Sequence, residues 1–130
     1  MIDELAHGIA EGATMSSSSG KRALVVGATG IVGRSLVSML AREGWTTFGL
    51  SRRGAVELPS VTNIQVDLLD PAALTAALAD VRPSFAAITA WMRQDTEAEN
   101  IRVNRAAVRN LLAALEPARS LEHVALMTGL

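Results

Sequence analysis

The stretch Ala23-Leu24-Val25-Val26-Gly27-Ala28-Thr29-Gly30-Ile31-Val32-Gly33 decides how this sequence folds. Four apolar residues run straight into a glycine, as a strand buried on both faces does. Three glycines follow at intervals of three, and an amphipathic pattern then runs from Ile31 to Arg42, with Gly44 as its stop. In a strand–turn–helix of this kind each glycine has its own task. Gly27 permits a tight turn with positive φ. Gly30, lacking a side chain, lets a phosphate reach the main chain. Gly33 lets the helix lie close to the sheet. The helix start then offers unpaired N–H groups and the positive end of its dipole. The arrangement implies a seat for the pyrophosphate of a dinucleotide.

Working outward, strands and helices alternate. Thr46–Leu50 reads as a second strand and Arg53–Thr62, with Gly54 and Pro59, as a loop. Ile64–Val66 reads as a short third strand, and Asp70 then caps a helix that has Pro71 at its first position and runs to Leu78. Ser84–Ala90 is a fourth strand. A long helix covers Glu97–Leu115, with Ile101, Val108, Leu111, Leu112 and Leu115 as its apolar stripe, and Leu121–Met127 is a fifth strand. Such alternation means an α/β fold with parallel strands and right-handed crossovers. The expected architecture is a Rossmann-like doubly wound sheet of about five strands in the order 3-2-1-4-5, stopping after strand five. Residues 21–130 would form this dinucleotide-binding domain, incomplete at its far side. Residues 1–20, ending in Ser16-Ser17-Ser18-Ser19-Gly20, read as a flexible N-terminal extension.

Composition narrows the function. The chain has 130 residues, no cysteine, two histidines and a formal charge of -1. Thiolate chemistry and cysteine metal sites are thereby excluded, and there is no electrostatic case for nucleic acid or an anionic membrane. No apolar run approaches the ~18 residues of a membrane span. A cytoplasmic location is the expectation.

The end of strand two bears on the choice of cofactor. An acidic residue there, about 20 residues after the loop, would bind a ribose 2′-OH. This sequence has Ser51-Arg52-Arg53 instead. Two guanidiniums suit a 2′-phosphate, so NADP(H) is expected to be preferred, with NAD(H) as the alternative. After strand three, Asp67 is placed either to accept from the adenine amino group or to form a turn, and Leu68 to pack on the ring.

These motifs resemble the short-chain dehydrogenase/reductase superfamily in its extended or atypical branches. Gly27-x-x-Gly30-x-x-Gly33 matches the cofactor loop, Asp67-Leu68 the adenine contact, and Asn104 with Asn110-Leu111-Leu112 the long helix. Gly49-Leu50-Ser51-Arg52-Arg53, Ala90-Trp91, Glu97-Ala98-Glu99-Asn100 and Leu126-Met127-Thr128-Gly129 look like the progesterone 5β-reductase/iridoid synthase-like group. The resemblance covers residues 21–130. It implies hydride transfer from NADPH to an enone or carbonyl. It also implies that the main chain of Thr29, Ile31 and Val32 joins the three glycines around the cofactor. Ala90 and Thr128 would lie toward the nicotinamide. The family's catalytic tyrosine and lysine have no counterpart: the sequence has no tyrosine, and Lys21, the only lysine, precedes strand one. No catalytic residue can be carried over, and the chain alone is expected to be inactive. Two other readings stay open, a non-catalytic dinucleotide-binding or redox-sensing module and the NAD-dependent epimerase/dehydratase branch. An open fifth-strand edge would also favour self-association.

Overall fold

The computed structural model describes residues 21–127. The N-terminal extension expected over 1–20, and the candidate Thr128, lie outside the described residues. The elements are β1 (Arg22–Val26), α1 (Ile31–Arg42), β2 (Thr46–Ser51), β3 (Val61–Gln65), α2 (Pro71–Leu78), β4 (Phe85–Ile88), α3 (Glu97–Leu115) and β5 (His123–Leu126). A single 3-10 turn, Glu116–Ala118, follows α3. All neighbouring strands are parallel, in the order β3-β2-β1-β4-β5, as expected for a Rossmann-like sheet.

β1 is central, so both of its faces are covered, and Ala23, Leu24, Val25 and Val26 are fully buried. Alternation sends Leu24 and Val26 to a core with Leu74 and Leu78 of α2 and Leu111 and Leu115 of α3. Ala23 and Val25 meet Leu36, Val37 and Leu40 of α1 on the opposite face. One helix on one face and two on the other make the sheet doubly wound. Asp70 caps α2 as expected, its carboxylate accepting from Ala73 N at 3.1 Å. Gly44, at φ +89°, ends α1.

Three expectations are corrected. β3 begins at Val61, not Ile64. Its first residues look polar because β3 is an edge strand, and the β2–β3 loop folds over the α1-side face of this strand. There the Asn63 amide accepts from Val56 N at 2.8 Å and donates to Val56 O at 3.0 Å. β4 and β5 are shorter than their apolar runs: Ser84, Thr89 and Met127 each still donate one main-chain bond to the neighbouring strand, but they lie outside the paired register. The buried stripe of α3 is Val103, Asn104, Ala107, Leu111, Ala114 and Leu115, whereas Ile101 and Leu112 are exposed. Ile31 of α1 is likewise 90% exposed.

Candidate functional site

Parallel strands direct every β-to-α connection to one edge of the sheet. Val26 stands level with Leu50 on one side and Ile88 on the other. The segments 27–30, 52–60, 66–70 and 89–96 therefore all emerge at the carboxyl ends. Strand order reverses between β1 and β4, which places the glycine loop at the crevice where open α/β sheets take ligands.

The loop is fastened from both sides. Gly27 N and Ala28 N donate to Leu50 O at 2.8 and 3.1 Å. From β4's side the single Thr89 Oγ1 proton is shared between Val26 O at 2.7 Å and Gly27 O at 3.2 Å. Gly27 has φ +86°, and a Cβ there would sit 2.7 Å from Ala90 N. A Cβ on Gly33 would lie 2.1 Å from Gly27 O, so this glycine brings α1 close to the turn itself, not merely to the sheet. Gly49 on β2 belongs to the same packing, since a Cβ there would reach 2.9 Å from Ala28 Cβ. Gly30 differs. Its φ of -74° suits any residue, and an added Cβ would meet only Gly27 O, at 3.5 Å. Gly30 is also the N-cap of α1, with no side-chain cap and no acidic residue in the first turn. The helix thus starts with open main-chain donors at Ile31, Val32 and Gly33.

Ser51 is buried at the end of β2, and its hydroxyl donates to Gly54 O at 3.0 Å. The bond closes a turn that holds Arg52 and Arg53, both exposed. Gly54, at φ +79°, lies beside Thr29: a Cβ on it would be 3.6 Å from Thr29 Cγ2. The arginine turn and the glycine loop, separate in sequence, are neighbours in space. Arg34, one turn into α1, donates to Thr29 O at 3.4 Å.

Asp67 is exposed, and its Oδ1 accepts from Leu69 N at 2.9 Å, so this carboxylate forms a turn. Leu68 is half-buried against the α2/α3 core, and its carbonyl accepts from Asn110 Nδ2 at 2.9 Å. Asn104, buried on α3, does the same for the segment after β4. Its amide accepts from Met92 N at 2.9 Å and donates to Met92 O at 2.8 Å. The two asparagines that mark the long helix thus each fasten one loop at the ligand edge. Ala90 follows Thr89 at the glycine loop, and Trp91, next to it, is 48% exposed. An open, mainly apolar groove of about 1110 Å³ runs from Leu68, Ala90 and Trp91 along α3 to Leu126. Among the described candidates it touches only Leu68 and Ala90. Thr89, Gly49, Asn63 and Gln65 were not legible as site residues, because their partners are distant in sequence. Among the described residues no group of three or more metal-ligating side chains occurs. No described helix is long and apolar enough to cross a membrane.

Residues 23–127 match the model of the NAD dependent epimerase/dehydratase family, and the chain belongs to that family. It is 36% identical to the (S)-8-oxocitronellyl enol synthase ISY1 of Nepeta cataria. It is 34% identical to a 3-oxo-Delta(4,5)-steroid 5-beta-reductase of Arabidopsis thaliana. Each match takes in 82% of this chain, which spans 30% of the length of these relatives. They fall in the reductase group that the Ser51-Arg52-Arg53 and Ala90-Trp91 segments resemble. Among solved structures, a candidate epimerase from Burkholderia cenocepacia J2315 is similar with a TM-score of 0.70 at 34% identity, over 82% of this chain and 37% of that one. The UDP-glucose 4-epimerase of Thermus thermophilus, solved with NAD, has a TM-score of 0.66 at 23% identity, over 76% of this chain and 35% of that one. That second likeness is one of fold.

Proposed function

We propose that this chain is the NADP(H)-holding portion of a reductase that delivers hydride to an enone or carbonyl. The observation that carries the reading is Gly30. The protein's own packing accounts for Gly27 and Gly33, but not for a missing side chain at Gly30, which faces open space at the uncapped start of α1. A pyrophosphate lying against the N–H groups of Ile31, Val32 and Gly33 accounts for it. Arg52 and Arg53, beside Thr29, are placed to pair with a 2′-phosphate, and no carboxylate stands at the end of β2 to repel one. In this reading Asp67 and Leu68 serve the adenine side and Ala90 the nicotinamide side, and Thr128, outside the described residues, is assigned to the nicotinamide side by the family resemblance alone. When bound, NADPH supplies the hydride; this chain's residues hold and orient it. Calorimetric titration with NADPH and NADH tests the reading. Saturable binding with NADPH the tighter ligand is expected, and folded protein that takes up neither nucleotide would overturn it.

A second reading is favoured by the family description: an NAD-using epimerase or dehydratase. Tighter binding of NADH in the same titration would select it. The β5 edge supports a further proposal, pairing with a second copy of the chain. β5 ends the sheet, with Val124 46% and Leu126 53% exposed. Sedimentation should show a mass that rises with concentration; a constant monomer mass would count against it.

A further inference from the structure

The turn that carries the two arginines is held by more than its own residues. Ser51 and Gln65 are register partners, the last residues of β2 and β3. Both side chains donate to one oxygen, Gly54 O: Ser51 Oγ at 3.0 Å and Gln65 Nε2 at 2.9 Å. A carbonyl has two lone pairs, and here both are engaged by protein donors. The Gly54 peptide is thereby fixed in direction, with Gly54 at φ +79° against Thr29 of the glycine loop. Just before Gly54 in that turn stand Arg52 and Arg53, whose own side chains are exposed. The path of this main chain sets where their guanidiniums begin. Further along the loop the paired bonds between Asn63 and Val56 anchor the return segment to the same strand.

We infer that Gln65, acting with Ser51 through the Gly54 carbonyl, is a positioning residue that sets the chain's discrimination between NADPH and NADH. The inference rests on the NADP(H) reading and extends it to a residue that acts through the turn rather than on the cofactor. Gln65 holds the arginine turn against Thr29, so both arginines leave the main chain beside the glycine loop before any ligand arrives. Such preorganisation raises affinity by lowering the cost of ordering long side chains on binding. Without the Gln65 bond the turn can swing on the flexible Gly54, and the arginines spend less time near a 2′-phosphate. The pyrophosphate seat, made by α1 and the turn at Gly27, is left as it was. The effect therefore falls on one cofactor and not the other, which a merely structural role would not produce.

The test is the pair of dissociation constants for NADPH and NADH in the whole chain and in Gln65→Met, which keeps length and removes the donor. Gln65 is exposed on an edge strand, so the variant should fold, and its melting temperature serves as the check. NADPH affinity should fall roughly three- to tenfold, the scale of one hydrogen bond, with NADH affinity unchanged. Ser51→Ala removes the other donor to the same oxygen and should move the ratio in the same direction. An unchanged NADPH/NADH ratio in both variants, with the parent still preferring NADPH, would overturn the role of Gln65 and leave the cofactor reading standing. A parent chain without NADPH preference would overturn both.

Discussion

Gly33→Ala is expected to lower the melting temperature by roughly 10–20 °C, whereas Gly30→Ala, three residues away, should change it little and weaken nucleotide binding instead. The contrast follows from what each added methyl meets. At position 33 it would lie 2.1 Å from Gly27 O, 2.8 Å from Gly27 C and 3.0 Å from Ala28 Cα. All three are main-chain atoms, so no side chain can rotate out of the way. The turn cannot retreat either. Leu50 O holds it from the β2 side through two N–H bonds, and Thr89 holds Gly27 O from the β4 side. Relief then requires α1 to lift from the sheet, loosening Leu36, Val37 and Leu40, which are buried. Overpacking of this kind costs about 1–3 kcal/mol, a large share of the stability of a small domain. At position 30 the methyl meets nothing closer than 3.5 Å and the backbone already suits alanine. Losing glycine as N-cap costs less than about 1 kcal/mol. The methyl would instead project where a phosphate must approach the helix start. Affinity for NADPH and NADH alike should fall roughly 10–100-fold, the scale of a lost hydrogen bond to a charged group. Differential scanning calorimetry and titration on both variants read the two effects separately. If Gly30→Ala binds as the parent does, the pyrophosphate is not seated at this turn.

The glycine loop was legible because its requirements are local. A buried strand, a turn with positive φ at Gly27 and a close helix at Gly33 each leave a residue type at a fixed offset. The same holds for the Asp70 cap and for Gly44 at the end of α1. Legibility failed where a distant contact outweighed the local pattern. Hydrophobicity places Ile101 in the stripe of α3, yet Asn104 is buried instead, because its amide satisfies both main-chain groups of Met92. Ile31 looks like a core residue by spacing, but it occupies the first turn at the mouth of the crevice, beyond the reach of the sheet. Val61-Thr62-Asn63 looks like loop, because Thr62 faces solvent on an edge strand and the Asn63 amide serves the returning segment. A signal was present in Asn63 and Gln65, two amides at a spacing of two along one strand face. Their partners, Val56 and Gly54, are set by tertiary geometry that period-two reasoning does not contain. The arginine pair was visible as a pair of charges, but its nearness to Thr29 emerged only when β2 and β1 were placed side by side.

Replacing both Arg52 and Arg53 with alanine is expected to weaken NADPH binding roughly 30–100-fold and NADH binding by less than about threefold. The two nucleotides differ at one group, a 2′-phosphate carrying close to two negative charges at neutral pH. Any loss confined to NADPH therefore reports contacts to that group. Both arginines are exposed, so each contact is partly screened and the loss stays below that of two buried charged hydrogen bonds. Single variants should each show less than half of the double effect in logarithmic terms, because either guanidinium can move toward the phosphate left by the other. Salt gives an independent reading. Raising ionic strength from about 0.01 to about 1 M shortens the Debye length from ~30 to ~3 Å. The parent's preference for NADPH should shrink over that range. In the double variant the smaller remaining preference should respond less, since the charges that create it are gone. Equal losses for both nucleotides would move the arginines to the pyrophosphate, and no loss for either would make them solvated loop charges. Only a loss specific to NADPH and diminished by salt agrees with a turn that Ser51 and Gln65 hold in place to read the ribose 2′ position.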